Sequence, residues 1–134
     1  MTVGILLICH NDIGGQLIET ATDMLERLPT RLDHLDVRQD DDPIDLLNAA
    51  RRRVADLDRG EGVLVLTDMY GSTPSNIAHR LRDQHDVQVL SGVNLPMLVR
   101  ALNYPRLSLD EMTAKACSGG REGIIQEGAT EERS

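Results

Sequence analysis

The chain has 134 residues, of which 40% are hydrophobic, enough for one globular domain with a buried core. It carries a net charge of −8 and only two aromatic residues, both Tyr. This composition argues against nucleic-acid binding, because an acidic surface repels phosphate backbones and no aromatic platform is available for base stacking. The acidic surface suits a basic protein partner, although an ordinary soluble surface accounts for the charge equally well.

The first half of the chain begins with a predicted strand, helix and strand. Residues 3–9 are a continuous apolar run, which is typical of a strand covered on both faces. After Gly15, apolar residues recur at helical spacing and predict an amphipathic helix that ends near Pro29. Residues 32–37 form a shorter and weaker predicted strand.

The second predicted helix, 43–57, has a clear start. Asp42 is suited to cap it, and Pro43 suits the first helical position. Its predicted buried stripe consists of Ile44, Leu47, Ala50, Val54 and Leu57.

The second half continues the alternation. Two further buried strands are predicted at 62–68 and 86–92. Between them a helix is predicted with Thr73 as its cap and Pro74 first, and a short helix follows at 94–103.

The C-terminal region is predicted to hold one more helix and a short strand. Ser108 and Glu111 form a capping box, and Gly119 with Gly120 is predicted to stop that helix. Residues 122–126 resemble a final strand, and 128–134 a flexible tail. Alternating strands and helices indicate an α/β fold with an open, mainly parallel sheet and no internal domain boundary.

Polar residues follow the apolar strands at the edge where such sheets bind ligands. The first strand ends at His10, and the strand at 62–68 ends in Thr67 and Asp68. A carboxylate that accepts a hydrogen bond from one ring nitrogen fixes the tautomer and leaves the other nitrogen as a nucleophile. We therefore predict a His10–Asp68 pair, although His10 as a mere polar strand end is the simpler alternative.

Two predicted helix starts accompany this pair. The segment "GSTP" offers the hydroxyls of Ser72 and Thr73 with backbone N–H groups, and "NDIGG" lies directly after His10. Helix N-termini favour anions, so the arrangement predicts a phosphoryl group received on imidazole. His34, His79 and His85 lie in polar surroundings and are interpreted as surface residues.

Other chemistries are less well supported by the motifs. His10, Asp12 and Asp68 together would make a metal-dependent hydrolase, but their spacing matches no metal motif, and we expect neither a metal nor a cofactor. No nucleotide-binding motif is present, so the phosphoryl donor is expected to be another protein or a small phosphorylated compound. Cys9 and Cys117 form no disulfide framework, and no signal peptide or membrane anchor is recognisable, which fits the cytoplasm.

Three segments resemble the enzyme IIA domain of the mannose/fructose-type sugar phosphotransferase system: "GILLICH", "LTDMYGSTPSNIA" and "VLSGVNLPMLVRAL". The resemblance covers almost all of 1–127 and implies a doubly wound sheet of four parallel strands. It also implies an antiparallel C-terminal edge strand exchanged within a homodimer. The phosphoryl group would pass from the phosphocarrier HPr to His10, held by Asp68, and then to a IIB component, with Ser72 and Thr73 at the phosphate.

The chain departs from this family in two respects. Ser72 replaces the usual second glycine of the turn, where it either adds a hydroxyl or is simply tolerated. No linker or IIB domain follows, so a regulatory relay competes with sugar uptake. The phosphoryl-transfer subunit of a dihydroxyacetone kinase and a non-catalytic, phosphorylation-controlled regulator are the alternatives.

Overall fold

The computed structural model describes residues 2–83 and 86–128. The strands are β1 (Gly4–His10), β2 (Leu32–Val37), β3 (Val63–Thr67) and β4 (Val87–Ser91). The helices are α1 (Ile13–Leu25), α2 (Pro43–Leu57), α3 (Thr73–Arg80), α4 (Leu95–Leu102) and α5 (Leu109–Glu122), and a short 3-10 helix, Leu81–Asp83, follows α3. The predicted order of elements is confirmed up to α5.

The four strands form one parallel sheet in the order β2-β1-β3-β4. In register, Leu7 of β1 lies opposite His34 of β2 on one side and Leu66 of β3 on the other. From β1 the chain first adds β2 on one side and later adds β3 and β4 on the other side. The direction in which strands are added therefore reverses between β1 and β3. The crevice beyond this switch point is where open α/β sheets bind ligands.

Helices cover both faces of the sheet, which confirms the doubly wound α/β class. Alternate residues of the buried strands β1 and β3 point to opposite faces, so each face receives its own apolar cluster. The cluster under α2 and α3 includes Leu6, Ile8, Val65, Val54 and Ile77. The cluster under α1, α4 and α5 includes Ile5, Leu7, Leu66, Leu98 and Met112.

The first helix begins earlier than predicted. It starts at Ile13, so Gly14 and Gly15 lie in its first turn instead of a preceding loop. A Cβ at Gly14 would lie 3.3 Å from Cβ of Leu7, and one at Gly15 would lie 3.1 Å from Cε1 of His34. Close packing on the sheet therefore explains these glycines, despite their low helix propensity.

The last helix runs through the two glycines that were predicted to stop it. α5 passes Gly119 and Gly120 and ends at Glu122. A Cβ at Gly119 would lie 2.5 Å from Cβ of Arg100, and one at Gly120 would lie 2.8 Å from Cε of Met97. Both glycines therefore serve the close approach of α5 to α4.

Two smaller predictions also need correction. Asp42 caps α2 as predicted, but Ile44 is 67% exposed, and Leu46 is buried in the core instead. Residues 43–45 therefore face solvent, and the buried stripe begins two residues later than its apolar spacing suggested. α1 ends at Leu25, short of the predicted Pro29.

The C-terminal segment of the described chain is not part of the sheet. Residues 124–127 adopt no regular structure, and the side chains of Ile124 and Ile125 are 76% and 72% exposed. Because β4 pairs only with β3 among the described residues, its outer edge is open in this single chain. The exchanged antiparallel strand stays a prediction, and His85 and the tail beyond 128 lie outside the described residues.

A bilayer-spanning helix was not expected from the sequence. Within 2–83 and 86–128, every helix is too short or too polar to cross a membrane.

Candidate active site

His10 and Asp68 meet at the carboxyl edge of the sheet. His10 is the last residue of β1, and Asp68 directly follows the neighbouring β3. Nδ1 of His10 lies 2.8 Å from Oδ2 of Asp68, and the backbone N–H of His10 donates to the same oxygen at 3.1 Å. The structure thus brings together the two residues that the strand ends predicted.

The hydrogen bond determines the state of the imidazole. A carboxylate accepts only, so Nδ1 carries the proton and Nε2 of the neutral ring keeps its lone pair. The His10 side chain is 40% exposed, whereas that of Asp68 is 13% exposed. An incoming electrophile can therefore reach the ring while the carboxylate stays shielded beneath it.

The second oxygen of Asp68 is unusual. Oδ1 is buried and makes no hydrogen bond to any described residue. Buried polar atoms are nearly always paired, so an exception marks a place where stability has been given up. The carboxylate is thus aligned through one oxygen only, the one that holds His10.

The neighbouring thiol is not a competing nucleophile. Cys9 is fully buried, and burial raises the pKa of its thiol to about 12, with the Asp68 and Asp36 charges adding to the shift. A thiol with this pKa stays protonated at neutral pH, and it is the thiolate that reacts. The imidazole of His10 is therefore the stronger nucleophile of the two.

The loop after Asp68 is a tight turn over residues 69–72. The N–H of Ser72 donates to the carbonyl of Met69, and Gly71 at the third position has φ +84°. Third-position residues of type II turns need a positive φ, which glycine adopts without strain. Ser72 itself has φ −87°, a backbone conformation that serine adopts without strain.

Ser72, not the predicted Thr73, occupies the N-cap position of α3. The carbonyl of Ser72 accepts the N–H of Asn76, while its hydroxyl donates to the carbonyl of Met69 at 2.6 Å. Thr73 is the exposed first residue of the helix. Both hydroxyls lie within five positions of Asp68 along the chain.

The helices next to the pair differ from the others in their caps. Side-chain oxygens of Asp42, Asn94 and Ser108 accept backbone N–H groups at the starts of α2, α4 and α5. The N-cap residues of α1 and α3, Asp12 and Ser72, make no such bond. α1 and α3 follow the two central strands, so the side-chain caps are missing at the two helix starts nearest to His10.

Asp12 is held by Arg38 instead. Nη2 of Arg38 donates to Oδ1 of Asp12 at 2.6 Å and lies 3.8 Å from Oδ2 of Asp36. The alternative metal triad therefore does not assemble, and no group of three potential ligands is found within 2–83 and 86–128. Sequence reasoning missed Arg38, although it directly follows β2 at this same edge of the sheet.

The other described histidines lie elsewhere. His34 sits inside β2, half exposed, with its Nδ1 2.8 Å from Oδ1 of Asp36. His79 is exposed on α3. Neither bonds to Asp68, which accords with their interpretation as surface residues.

An apolar groove borders the loop after His10. It has a volume of about 510 Å³ and is lined by Asn11, Asp12, Ile13, Gln16, Leu17, Thr20 and Leu95. In the loop that follows Asp68, Met69 and Tyr70 are 63% and 86% exposed. Exposed apolar surface in the loops after both His10 and Asp68 is suited to contact with another protein.

The fold and the pair define a small, doubly wound α/β domain in which a buried carboxylate holds an accessible histidine at the switch point. Residues 4–117 match the family described as PTS system fructose IIA component. The chain is 35% identical over 127 residues to the mannose-specific EIIAB component of the phosphotransferase system of Escherichia coli K12, which covers 92% of this chain and 39% of that protein.

Two solved structures share the fold. The phosphotransferase system component EIIA from Streptococcus agalactiae superimposes with a TM-score of 0.81 at 24% identity, covering 92% of this chain and 96% of that one. The mannose/sorbose-specific IIA subunit from Enterococcus faecalis gives 0.78 at 21% identity and covers 96% of both chains. The chain belongs to the mannose/fructose-type IIA family of the sugar phosphotransferase system, whose members are phosphoryl-carrier components.

Proposed function

We propose that this chain accepts a phosphoryl group from phospho-HPr on Nε2 of His10 and passes it to a IIB component. The observation that carries this proposal is the 2.8 Å bond between His10 Nδ1 and Asp68, which leaves Nε2 unprotonated on an exposed ring. The acceptor serves sugar uptake or a regulatory relay, as a member of the family would.

The transfer is a substitution at phosphorus. The Nε2 lone pair forms the new P–N bond, and the bond to the donor nitrogen of HPr breaks with its electron pair returning to HPr. The imidazole of His10 gains positive charge as the bond forms, and the carboxylate of Asp68 stabilises that charge. Transfer to IIB reverses these roles.

The phosphoryl oxygens are held by groups around the ring. The candidate donors are the hydroxyl of Thr73, the first N–H groups of α1 and α3, and the hydroxyl of Ser72 once it releases the carbonyl of Met69. The absence of side-chain caps on these two helices supports this role, because a side chain that accepted these N–H groups would compete with the phosphoryl group. Asp68 takes no part in binding it, since its charge repels an anion.

Partner binding is expected on the apolar surface beside the pair. The groove at Ile13, Leu17 and Leu95 borders the loop after His10, and the exposed Met69 and Tyr70 lie in the loop after Asp68. Apolar contact at such a patch excludes water from the transferring group. The net charge of −8 favours a partner with a basic surface around its own histidine.

The direct test incubates the chain with phosphoenolpyruvate, enzyme I and HPr and follows the intact mass. The wild type should gain one phosphoryl group that is lost in acid and kept in base, as expected for a phosphoramidate. His10→Ala should gain none, whereas the matched variants His34→Ala and His79→Ala should be labelled like the wild type. Full labelling of His10→Ala would refute the assignment.

We also infer that the domain, residues 1–127, works in the cytoplasm as a homodimer joined by its C-terminal segment. The exposed Ile124 and Ile125 and the open outer edge of β4 support this, because an unpaired edge strand invites pairing with another chain. Removing residues from 124 onward leaves α5 intact and should yield a monomer in light scattering. A truncated chain that remains a dimer would reject strand exchange as the main contact.

A further inference from the structure

The Arg38–Asp12 pair stands next to the proposed acceptor histidine. Arg38 is the first residue after β2, and Asp12 lies two residues after His10, so the pair bridges the ends of neighbouring strands. The guanidinium of Arg38 donates to Asp12 at 2.6 Å. A backbone hydrogen bond joins the same two segments, from the N–H of Asn11 to the carbonyl of Val37. Asn11 has φ +49°, so the turn between His10 and α1 is a tight one.

Arg38 is itself fixed by its own turn. Its backbone N–H donates to a carboxylate oxygen of Asp41 at 2.8 Å, and its carbonyl accepts the N–H of Asp41. Its side chain also faces Asp36 at 3.8 Å. The side chains of Arg38 and Asp12 are both exposed, and the guanidinium lies between the carboxylates of Asp36 and Asp12.

Asp12 occupies a position where its side chain would ordinarily bond to the helix. Aspartate is a favoured N-cap residue, since its carboxylate accepts N–H groups of the first turn and interacts well with the helix dipole. In this chain Asp42 does so at the start of α2, with 2.8 Å to the N–H of Ile44. Asp12 makes no such bond: its backbone, at φ −92° and ψ 5°, is not the extended one of Asp42, and its carboxylate is turned to Arg38.

We propose that Arg38 is a positioning residue that holds the Asp12 carboxylate away from the start of α1 and so keeps this helix start open for the phosphoryl group on His10. This inference rests on the proposed function of His10. Without Arg38, Asp12 is free to take the extended backbone that Asp42 has, and so to cap α1. Its carboxylate then occupies the N–H groups of Gly14 and Gly15 and places a negative charge beside the phosphoryl group.

The test compares four full-length proteins in the relay of phosphoenolpyruvate, enzyme I and HPr. Arg38→Met should slow the transfer from phospho-HPr about 10-fold, and Asp12→Ala should change it less than about threefold. The double variant should return to the rate of Asp12→Ala, because Arg38 acts only through Asp12. Arg53→Met is the matched control, because Arg53 of α2 forms an ion pair with Asp33 of β2 at 3.7 Å. This substitution should leave the transfer rate unchanged.

A double variant as slow as Arg38→Met would overturn the proposal, because Arg38 would then act directly on a partner or on the phosphoryl group. The proposal would also be overturned if Arg38→Met lost thermal stability together with transfer rate, and if adding Asp12→Ala restored neither. The Arg38–Asp12 pair would then be a structural contact.

A readout without phosphoryl transfer separates this proposal from the proposed function. In NMR spectra of the unphosphorylated proteins, the amide protons of Gly14 and Gly15 should shift downfield and exchange more slowly in Arg38→Met, and return in the double variant. Unchanged amides would overturn the positioning role even if His10 is phosphorylated. Shifted amides in a chain that HPr never phosphorylates would instead refute the proposed function and show only that Arg38 holds Asp12 away from α1.

Discussion

Replacing Asp68 by Asn separates the charge of this residue from its role in orienting His10. One oxygen, Oδ2, accepts both the ring Nδ1–H and the backbone N–H of His10. An asparagine oxygen in the same place can accept both bonds, and the backbone N–H fixes which way the amide points. The tautomer of His10 is then kept while the negative charge is lost.

The expected magnitude follows from the charge that develops on the ring. Two opposite unit charges about 4 Å apart attract each other by about 4 kcal/mol when the effective dielectric constant is about 20. Asp68 is only 13% exposed, so this intermediate dielectric applies better than that of water. If about two thirds of the charge has formed in the transition state, about 2.7 kcal/mol is lost, which slows transfer about 10²-fold.

The assay is a single-turnover measurement of transfer from phospho-HPr, with the intact mass followed in quenched samples. Asp36→Asn is a matched control, because Asp36 also lies 2.8 Å from a ring nitrogen, that of His34, and an amide oxygen in its place can still face Arg38. It should transfer within about twofold of the wild-type rate. Asp68→Ala, which removes both orientation and charge, should be slower than Asp68→Asn.

The reasoning fails if Asp68→Asn transfers at the wild-type rate, since the His–Asp pair would then not be the working unit. It also fails if the ¹⁵N shifts of the His10 ring report protonated Nε2 in the neutral wild-type protein. That tautomer would leave no lone pair on the exposed nitrogen.

Two further predictions concern the packing and the thiols. Gly119→Ala should lower the free energy of unfolding by about 1–3 kcal/mol, because the new methyl group would lie 2.5 Å from Cβ of Arg100. Urea unfolding beside the neighbouring Ser118→Ala, expected to be nearly neutral, checks this, and a stabilised Gly119→Ala would contradict it. In the folded protein near neutral pH, a maleimide should label the half-buried Cys117 but not Cys9, whose pKa is raised to about 12. In denaturant it should label both cysteines. Rapid double labelling of the native chain, seen by mass, would contradict the burial of Cys9.

The pairing of His10 with Asp68 was predictable because it depends on topology. Each residue ends an apolar run, and in a parallel sheet the ends of neighbouring strands meet at one edge. The helix starts at Asp42 and Ser108 were equally predictable, because a cap is a contact between residues two or three positions apart. Local rules and the α/β topology together locate the site.

What the sequence did not reveal depends on contacts between distant segments. Gly14 has the local character of a loop before a helix, and Gly119 that of a helix stop, yet each lies inside a helix because another element packs where a side chain would be. The bond between Asp12 and Arg38 joins residues 26 positions apart. From the sequence, the helix is predicted to start after Gly15 and Asp12 is considered only as a metal ligand, so this bond is not predicted.

The two His–Asp pairs of this chain show why geometry between two side chains is insufficient to define a site. His34 and His10 have the same 2.8 Å bond from Nδ1 to a carboxylate and nearly the same exposure, 41% and 40%. His34, however, lies inside the edge strand β2, and its ring packs against Gly15. His10 lies at the switch point, beside two helix starts without side-chain caps and near exposed apolar surface. The hydrogen bond sets the tautomer in both pairs, and the position at the strand end distinguishes His10 from His34 as the candidate acceptor. The unequal effects predicted for Asp68→Asn and Asp36→Asn test that distinction.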